Sequence, residues 1–344
     1  MIQRRPPVPD AGSAGVALLA GLETLRGCVL APPSRLHLTA NATAGAHRVR
    51  RRGGQNDFTG FRPYQPGDPI REIDWGVYGR TDRLYLRQRE DTSDLTLHLL
   101  LDASASMAFA GWPPRLLRGD AVTRPAPAVP KARHAASIAA LLGALALRQR
   151  DRVHTRIRAN GTVTVLPPLR GGAGGGGRSG AAAHLANGLA GVEPGGAGSL
   201  AEPVRHAVSA MTRRSMLVVL TDGLTDSDAA DAAFLDAVRD ATRRGHAAVV
   251  VQVLHPHEWD PPAGPKRLRV VDSETGRRVR VAGAWRDACR AATRDAVSAL
   301  AAGVGAAGGH HLLSLVDGTP AATARAVCEH RFGLTAFQAS AGDA

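Results

Sequence analysis

From residue 95 onward the hydrophobic pattern keeps changing period. Residues 95–101 form a short, almost wholly apolar run, and residues 215–220 and 247–254 repeat it. Runs of this length without alternation predict strands covered on both faces. A fourth strand is predicted at 310–315. Between these runs the period becomes helical. Residues 131–150 place Ala135, Ile138, Leu141, Leu142, Leu145 and Ala146 on one face. Further helices are predicted over 202–213, 228–244 (closed by Gly245 as a stop), 284–302 and 320–331. Asn160-Gly161 between 152–158 and 162–166 is a strong hairpin signal, and Glu274-Thr275-Gly276 marks a second within 267–281. Strands separated by helices imply an α/β fold: a mostly parallel sheet with helices on both faces.

The flanks read differently. Residues 1–45 predict a weakly ordered start with one helix over 16–25. Residues 46–92 are rich in turn formers and aromatics and predict irregular backbone with short strands. The α/β domain is expected over 93–335, followed by a tail at 336–344. Two inserts, the Pro-rich 111–130 and the Gly-rich 170–180, read as mobile surface loops; the glycines at 171–177 are expected to begin no helix.

Composition narrows the functional classes. The 344 residues carry 43 basic and 30 acidic side chains, a formal net charge of +13. That invites a nucleic-acid reading. Yet the only lysines are Lys131 and Lys266, so 41 of the 43 are arginines in a chain loaded with alanine and glycine. A GC-rich coding sequence explains much of such a charge. Cys28, Cys289 and Cys328 are odd in number, far apart and without metal-ligand spacing, which fits a reducing compartment rather than a disulfide framework. No apolar run approaches the roughly 20 residues of a membrane helix. The run at 14–22 ends at Glu23 and Arg26, so a cytoplasmic location without membrane insertion is expected.

Candidate chemistry gathers at strand ends. The first apolar run leads into Asp102-Ala103-Ser104-Ala105-Ser106, and the second into Thr221-Asp222-Gly223. In an open α/β sheet the carboxyl ends of the strands form the ligand edge. Ser199 precedes a helix in the loop between them. Two carboxylates and three hydroxyls make an oxygen-only set suited to a hard cation such as Mg²⁺ or Mn²⁺; the absence of Cys and His from it argues against zinc. The competing reading is local: Asp and Ser cap helices, and Thr-Asp-Gly makes a good turn. Enzyme motifs are missing. An aspartyl-phosphate phosphatase needs a second acid where Ser104 stands, no Gly-x-Ser-x-Gly surrounds the serines, and no Walker loop occurs. His255 and His257 have a spacing that places one side chain in and one out.

The Asp102–Ser106 run resembles the metal-ion-dependent adhesion site of von Willebrand factor A domains. The resemblance implies Ser104 and Ser106 as direct ligands, Asp102 and Asp222 acting through water or hydrogen bonds, and Ser199 at a position where that family usually offers threonine. Upstream, Phe58, Phe61, Arg62, Pro63, Tyr64, Pro66, Gly67, Asp68, Pro69, Ile73, Asp74 and Trp75 resemble the signature of the bacterial domain of unknown function 58 family. Together the two motifs cover roughly residues 46–110, and the strand–helix alternation extends the likeness to about 331. Within the signature, Arg62, Asp68, Arg71 and Asp74 read as an ion-pair and turn network, and Tyr64 and Trp75 as core. The resemblance implies a Rossmann-like, von Willebrand factor A-like domain from the branch without membrane helices. It further implies a non-enzymatic, Mg²⁺-dependent protein-interaction module working with a MoxR-type AAA+ ATPase on an unknown client complex. The alternatives are a metal-dependent hydrolase and a basic nucleic-acid binder. Asp102→Ala is expected to abolish Mg²⁺-dependent binding without unfolding the domain.

Overall fold

The computed structural model describes residues 11–31, 57–64, 73–90, 95–113, 128–171, 177–211, 215–223, 227–264 and 267–331. They fall into two compact units, one formed within 35–94 and the other by the rest.

The chain opens with α1 (Ala11–Leu18) and a 3₁₀ turn at Leu22–Leu25. The helix expected over 16–25 is broken at Gly21, whose φ of +90° ends one helical segment before the next begins. Leu18, Leu25 and Leu30 are all buried.

The smaller unit pairs β1 (Asp57–Pro63) antiparallel with β2 (Tyr85–Glu90), with a register shift between Phe58 and Gly60. Between them lies α2 (Trp75–Thr81), a helix that the turn-rich sequence did not announce. Asp74 caps it: its Oδ1 accepts the Gly76 and Val77 N–H groups at 3.0 and 3.2 Å. Ile73 and Val77 are buried. Trp75, expected in a core, is 59% exposed and meets Tyr78 edge to face at 6.0 Å. As the first residue of the helix it points away from the Ile73–Val77 side. Phe61 and Arg62 lie on β1, and the Tyr64 N–H donates to the Leu84 carbonyl at 2.9 Å. Pro66, Gly67, Asp68 and Arg71 lie outside the described residues.

The larger unit is the expected α/β sheet. Its strands are β3 (Thr96–Asp102), β4 (Arg152–Ala159), β5 (Thr162–Val165), β6 (Leu169–Arg170), β7 (Ser215–Thr221) and β8 (Ala247–Leu254). A separate hairpin, β9 (Arg267–Val271) with β10 (Arg278–Ala282), precedes the edge strand β11 (His310–Leu315). The order is β11-β8-β7-β3-β4-β5, with β6 also on β4; the first five strands are parallel, and β5 and β6 run antiparallel to β4. Asn160 and Gly161 both adopt positive φ, 51° and 72°, as a tight two-residue hairpin turn requires.

The intervening helices are α3 (Lys131–Arg148), α4 (Gly177–Ala190), α5 (Ala201–Ser209), α6 (Asp228–Arg243), α7 (Pro256–Trp259), α8 (Trp285–Ala306) and α9 (Pro320–Cys328). Pleating sends Leu97, Leu99 and Leu101 to one face, into a core with α1, α3, α4 and α9. It sends Leu100 to the other, against α5, α6 and α8. Each such leucine stabilises the fold by about 1.5–3 kcal/mol. The glycine-rich stretch corrects the loop expectation. Leu169 and Arg170 pair with β4, and α4 starts at Gly177. Tertiary burial of Ala182, Leu185, Ala186 and Leu189, spaced i, i+3, i+4 and i+7, outweighs the poor helix propensity of glycine. Of the Pro-rich insert, residues 114–127 lie outside the described residues.

The topology locates the ligand edge. The chain leaves β3 through α3 for β4 on one side, and later returns to β7 on the other. The carboxyl ends of β3 and β7 therefore flank a topological switch point, where open α/β sheets bind ligands.

Candidate metal centre

Strand register assembles the cluster. Leu101 pairs with Leu220 on β7, and Asp102 pairs with Arg158 on β4. The Asp102 carboxylate is consequently held from three sides. Its Oδ1 accepts the Ser104 N–H at 3.0 Å and Arg158 Nη1 at 3.1 Å, and its Oδ2 accepts the Thr221 hydroxyl at 2.8 Å. The Asp102–Ser104 contact closes the turn that the capping reading foresaw. The hydroxyls do something else. Ser104 precedes the 3₁₀ turn Ala105–Ala108, yet its side chain makes no cap hydrogen bond. It lies 3.0 Å from Ser106 Oγ, and Ser106 Oγ donates to Glu274 Oε1 at 3.1 Å.

Asp222 ends β7 in a turn that needs Gly223. Gly223 has φ +59°, and a Cβ there would come within 2.5 Å of Leu300 and 3.3 Å of Gln252. Gln252 Nε2 holds the Asp222 carbonyl at 2.8 Å. The Asp222 carboxylate meets a partner that sequence reasoning missed. Lys131, at the start of α3 and with a fully buried side chain, places Nζ 2.9 Å from Asp222 Oδ2 and 2.6 Å from Glu258 Oε1. Glu258 Oε2 in turn accepts the His255 N–H at 2.8 Å and caps α7.

Ser199 is placed differently from the other four predicted residues. Its loop is tied to the site: Gly195 N–H donates to the Ala103 carbonyl and Ala105 N–H to the Gly196 carbonyl, both at 2.9 Å. Its own side chain is exposed, and its hydroxyl accepts the Ala201 N–H at 3.1 Å at the start of α5. That contact closes a local turn just before α5, whose N-cap is Leu200, and among the described residues no hydrogen bond joins Ser199 to the other four.

Four carboxylates thus face this edge, from Asp102, Asp222, Glu258 and Glu274, against the two cations of Lys131 and Arg158. Burial, then Asp222, push the Asp102 carboxyl above its ordinary pKa. Burial likewise raises Glu258 and Glu274. Burial acts to lower Lys131, but Asp222 and Glu258 more than offset it and hold the ammonium above its usual value. Arg158 is buried, and among the described residues its Nη2 has no acceptor; a Cβ on Gly198 would lie 2.7 Å from that nitrogen.

The donor set fits a hard divalent ion. Ligands 2.0–2.1 Å from Mg²⁺ at adjacent octahedral vertices are about 2.8–3.0 Å apart; the Ser104 and Ser106 hydroxyls are at the upper end of that range, and Ser106 and Glu274 stand just beyond it at 3.1 Å. Ser104 and Ser106 would hold such an ion, with Asp102 and Asp222 acting behind them. The signals for the missed groups were faint: one of only two lysines, a Glu in a capping box, and a Glu at a hairpin tip.

His255 and His257 are both buried with rings 4.7 Å apart, and His257 Nδ1 accepts the Trp112 N–H at 3.0 Å. Among the described residues no group of three or more His, Cys, Asp or Glu side chains has metal-binding geometry of its own, and no helix is long and apolar enough to cross a membrane.

The family described as "Protein of unknown function DUF58" matches residues 60–301. Uncharacterized proteins of Mycobacterium bovis and Mycobacterium tuberculosis are 44% identical over 48 residues, 14% of this chain and 15% of theirs; the chain therefore spans only a small part of those relatives. Among the solved structures that are similar, three share 14% identity with this chain. An aerotolerance-related membrane protein from Bacteroides fragilis has a TM-score of 0.41 and covers 68% of this chain and 97% of its own. The conserved hypothetical protein BatB from Bacteroides thetaiotaomicron has a TM-score of 0.36, covering 69% and 97%. A von Willebrand factor type A protein from Catenulispora acidiphila has a TM-score of 0.34, covering 72% and 43%.

Proposed function

Because the chain belongs to the DUF58 family, we propose that it is a non-enzymatic protein-interaction module that captures an acidic side chain of a partner at the β3/β7 edge. One observation carries this reading. Two serine hydroxyls that cap nothing stand 3.0 Å apart over a buried pair of aspartates, at the switch point of the sheet. When bound there, a divalent cation such as Mg²⁺ supplies positive charge and open coordination positions for a partner's carboxylate. The chain's own residues orient the hydroxyls: the Asp102 turn fixes Ser104, and the Thr221 and Arg158 contacts fix Asp102. The family resemblance supplies the partners, a MoxR-type AAA+ ATPase and its client, in the cytoplasm.

The test is affinity purification of the tagged chain from its native host with Mg²⁺ or with EDTA, alongside Ser104→Ala/Ser106→Ala. Capture of the ATPase that is lost with EDTA and with the double variant supports the reading. Equal capture in all three sinks it. One contact favours a second reading: Ser106 Oγ donating to Glu274 gives a hydrolase its candidate nucleophile and base. Turnover of generic esters that is lost in Ser106→Ala would move the assignment to that reading.

A further inference from the structure

We infer that Glu274 is this chain's own ligand for the site, and that the β9–β10 hairpin occupies the place where a partner's carboxylate docks. The inference rests on the metal-site reading above and adds a competitor to it. Glu274 comes from 168 residues beyond Ser106, yet its Oε1 accepts the Ser106 hydroxyl at 3.1 Å, close to the 3.0 Å between the two serine oxygens. A carboxylate at that spacing is where an acidic side chain from outside would have to stand.

The turn that presents Glu274 is built. Asp272 Oδ1 accepts the Glu274 N–H at 2.8 Å, and Asp272 Oδ2 accepts the Thr275 hydroxyl. Backbone bonds from Gly276 N–H to the Asp272 carbonyl and from Asp272 N–H to the Arg277 carbonyl, both at 2.9 Å, close the loop. The hairpin behind it is not built into the main sheet. Its strands pair with each other as a two-stranded sheet, and Val270, Val271 and Val279 are each about half exposed. A lone two-stranded hairpin is marginally stable in water, and none of the residues in the three buried hydrophobic clusters lies on it.

Charge points the same way. Among the described residues, the four carboxylates exceed the two cations of the cluster by two, the charge of one divalent ion, and Glu274 adds the last of those negative charges. Arg158 Nη2, buried and without an acceptor among the described residues, remains for an anion arriving at the same edge. The site therefore holds its own hairpin until an acidic partner segment replaces it.

The experiment titrates the full chain and Glu274→Gln with Mn²⁺ alone, reading free Mn²⁺ by electron paramagnetic resonance. In parallel, trypsin cleavage after the exposed Arg277 and Arg278 is followed by mass spectrometry. Glu274→Gln is expected to bind Mn²⁺ at least about tenfold more weakly, the scale on which even outer partners of a metal site act. Mn²⁺ is expected to slow hairpin cleavage in the wild type and not in the variant. Equal Mn²⁺ affinity for the two proteins, or hairpin protection that persists in Glu274→Gln, overturns the inference. If Ser106→Ala loses Mn²⁺ while Glu274→Gln keeps it, the metal site stands and only the hairpin's part in it falls. A wild type that binds no Mn²⁺ overturns both.

Discussion

Lys131→Met removes the one ammonium buried in the cluster while keeping much of the side chain's length. At an effective dielectric of about 20, an ammonium 2.9 Å from the Asp222 carboxylate and 2.6 Å from that of Glu258 gains about 6 kcal/mol from each. Desolvation opposes most of that gain, because the Lys131 side chain is fully buried, that of Asp222 is 3% exposed and that of Glu258 19%. Removing one partner of such a buried pair costs about 3–5 kcal/mol, since the other charges stay buried and uncompensated. For a domain of this size that is a fall in Tm of about 10 °C. The assay is thermal unfolding followed by circular dichroism from about pH 5 to pH 8. Without the lysine, which acts to lower it, Glu258 keeps a folded-state pKa above its unfolded one. The folded state then binds more protons, so stability rises as pH falls. The deficit against wild type should shrink toward pH 5, and millimolar Mg²⁺ should recover part of it at pH 8. A Tm within about 2 °C of wild type at neutral pH, or a deficit unchanged across the range, would refute the claim that Lys131 neutralises this edge.

Other expectations are as direct. Asp102→Ala should lower stability as well as binding, by about 3–5 kcal/mol, because it leaves the buried Arg158 unpaired; Asp102→Asn keeps the shape and should lose less in a urea titration. Gly143→Ala should destabilise by about 1–3 kcal/mol, since its Cβ would lie 2.2 Å from a methyl of the buried Leu185; Ala substituted with no change in urea midpoint would show that α4 shifts freely. Burial holds His98 at about 3 and His134 and His311 at about 4. Their stabilisation is complete above about pH 6.5 and is lost as pH falls toward 4. His134→Gln should flatten that acid limb by about 1.4 kcal/mol per pH unit, and an unchanged slope would contradict it.

The sheet was legible because its strands are apolar on both faces, a pattern that little else produces. Residues 247–254 and 310–315 were placed to the residue. Helix α4 was hidden by its glycines, although its apolar spacing at 182, 185, 186 and 189 was there to be read. Helix α2 was hidden because a single cap and one buried residue of its own, Val77, sustain it. At the candidate site, strand ends mark the ligand edge, and Asp102, Ser104, Ser106 and Asp222 lie together there as their places at the ends of two neighbouring strands predict. Ser199 was assigned to the cluster by resemblance; its hydroxyl accepts the Ala201 N–H, a local contact that strand position does not set. Lys131, Glu258 and Glu274 escaped notice for a physical reason: their proximity depends on tertiary packing across 91–168 residues of chain, which no local spacing encodes.

Glu258 ends with its two oxygens in two different places, one on the Lys131 ammonium and one on the His255 N–H that starts α7. One side chain therefore serves two ends: it is a charge partner of the buried Lys131 and the returning half of the capping box that starts α7. Losing Glu258 removes both at once, so the charge at the ligand edge and the seating of residues 256–259 depend on a single residue.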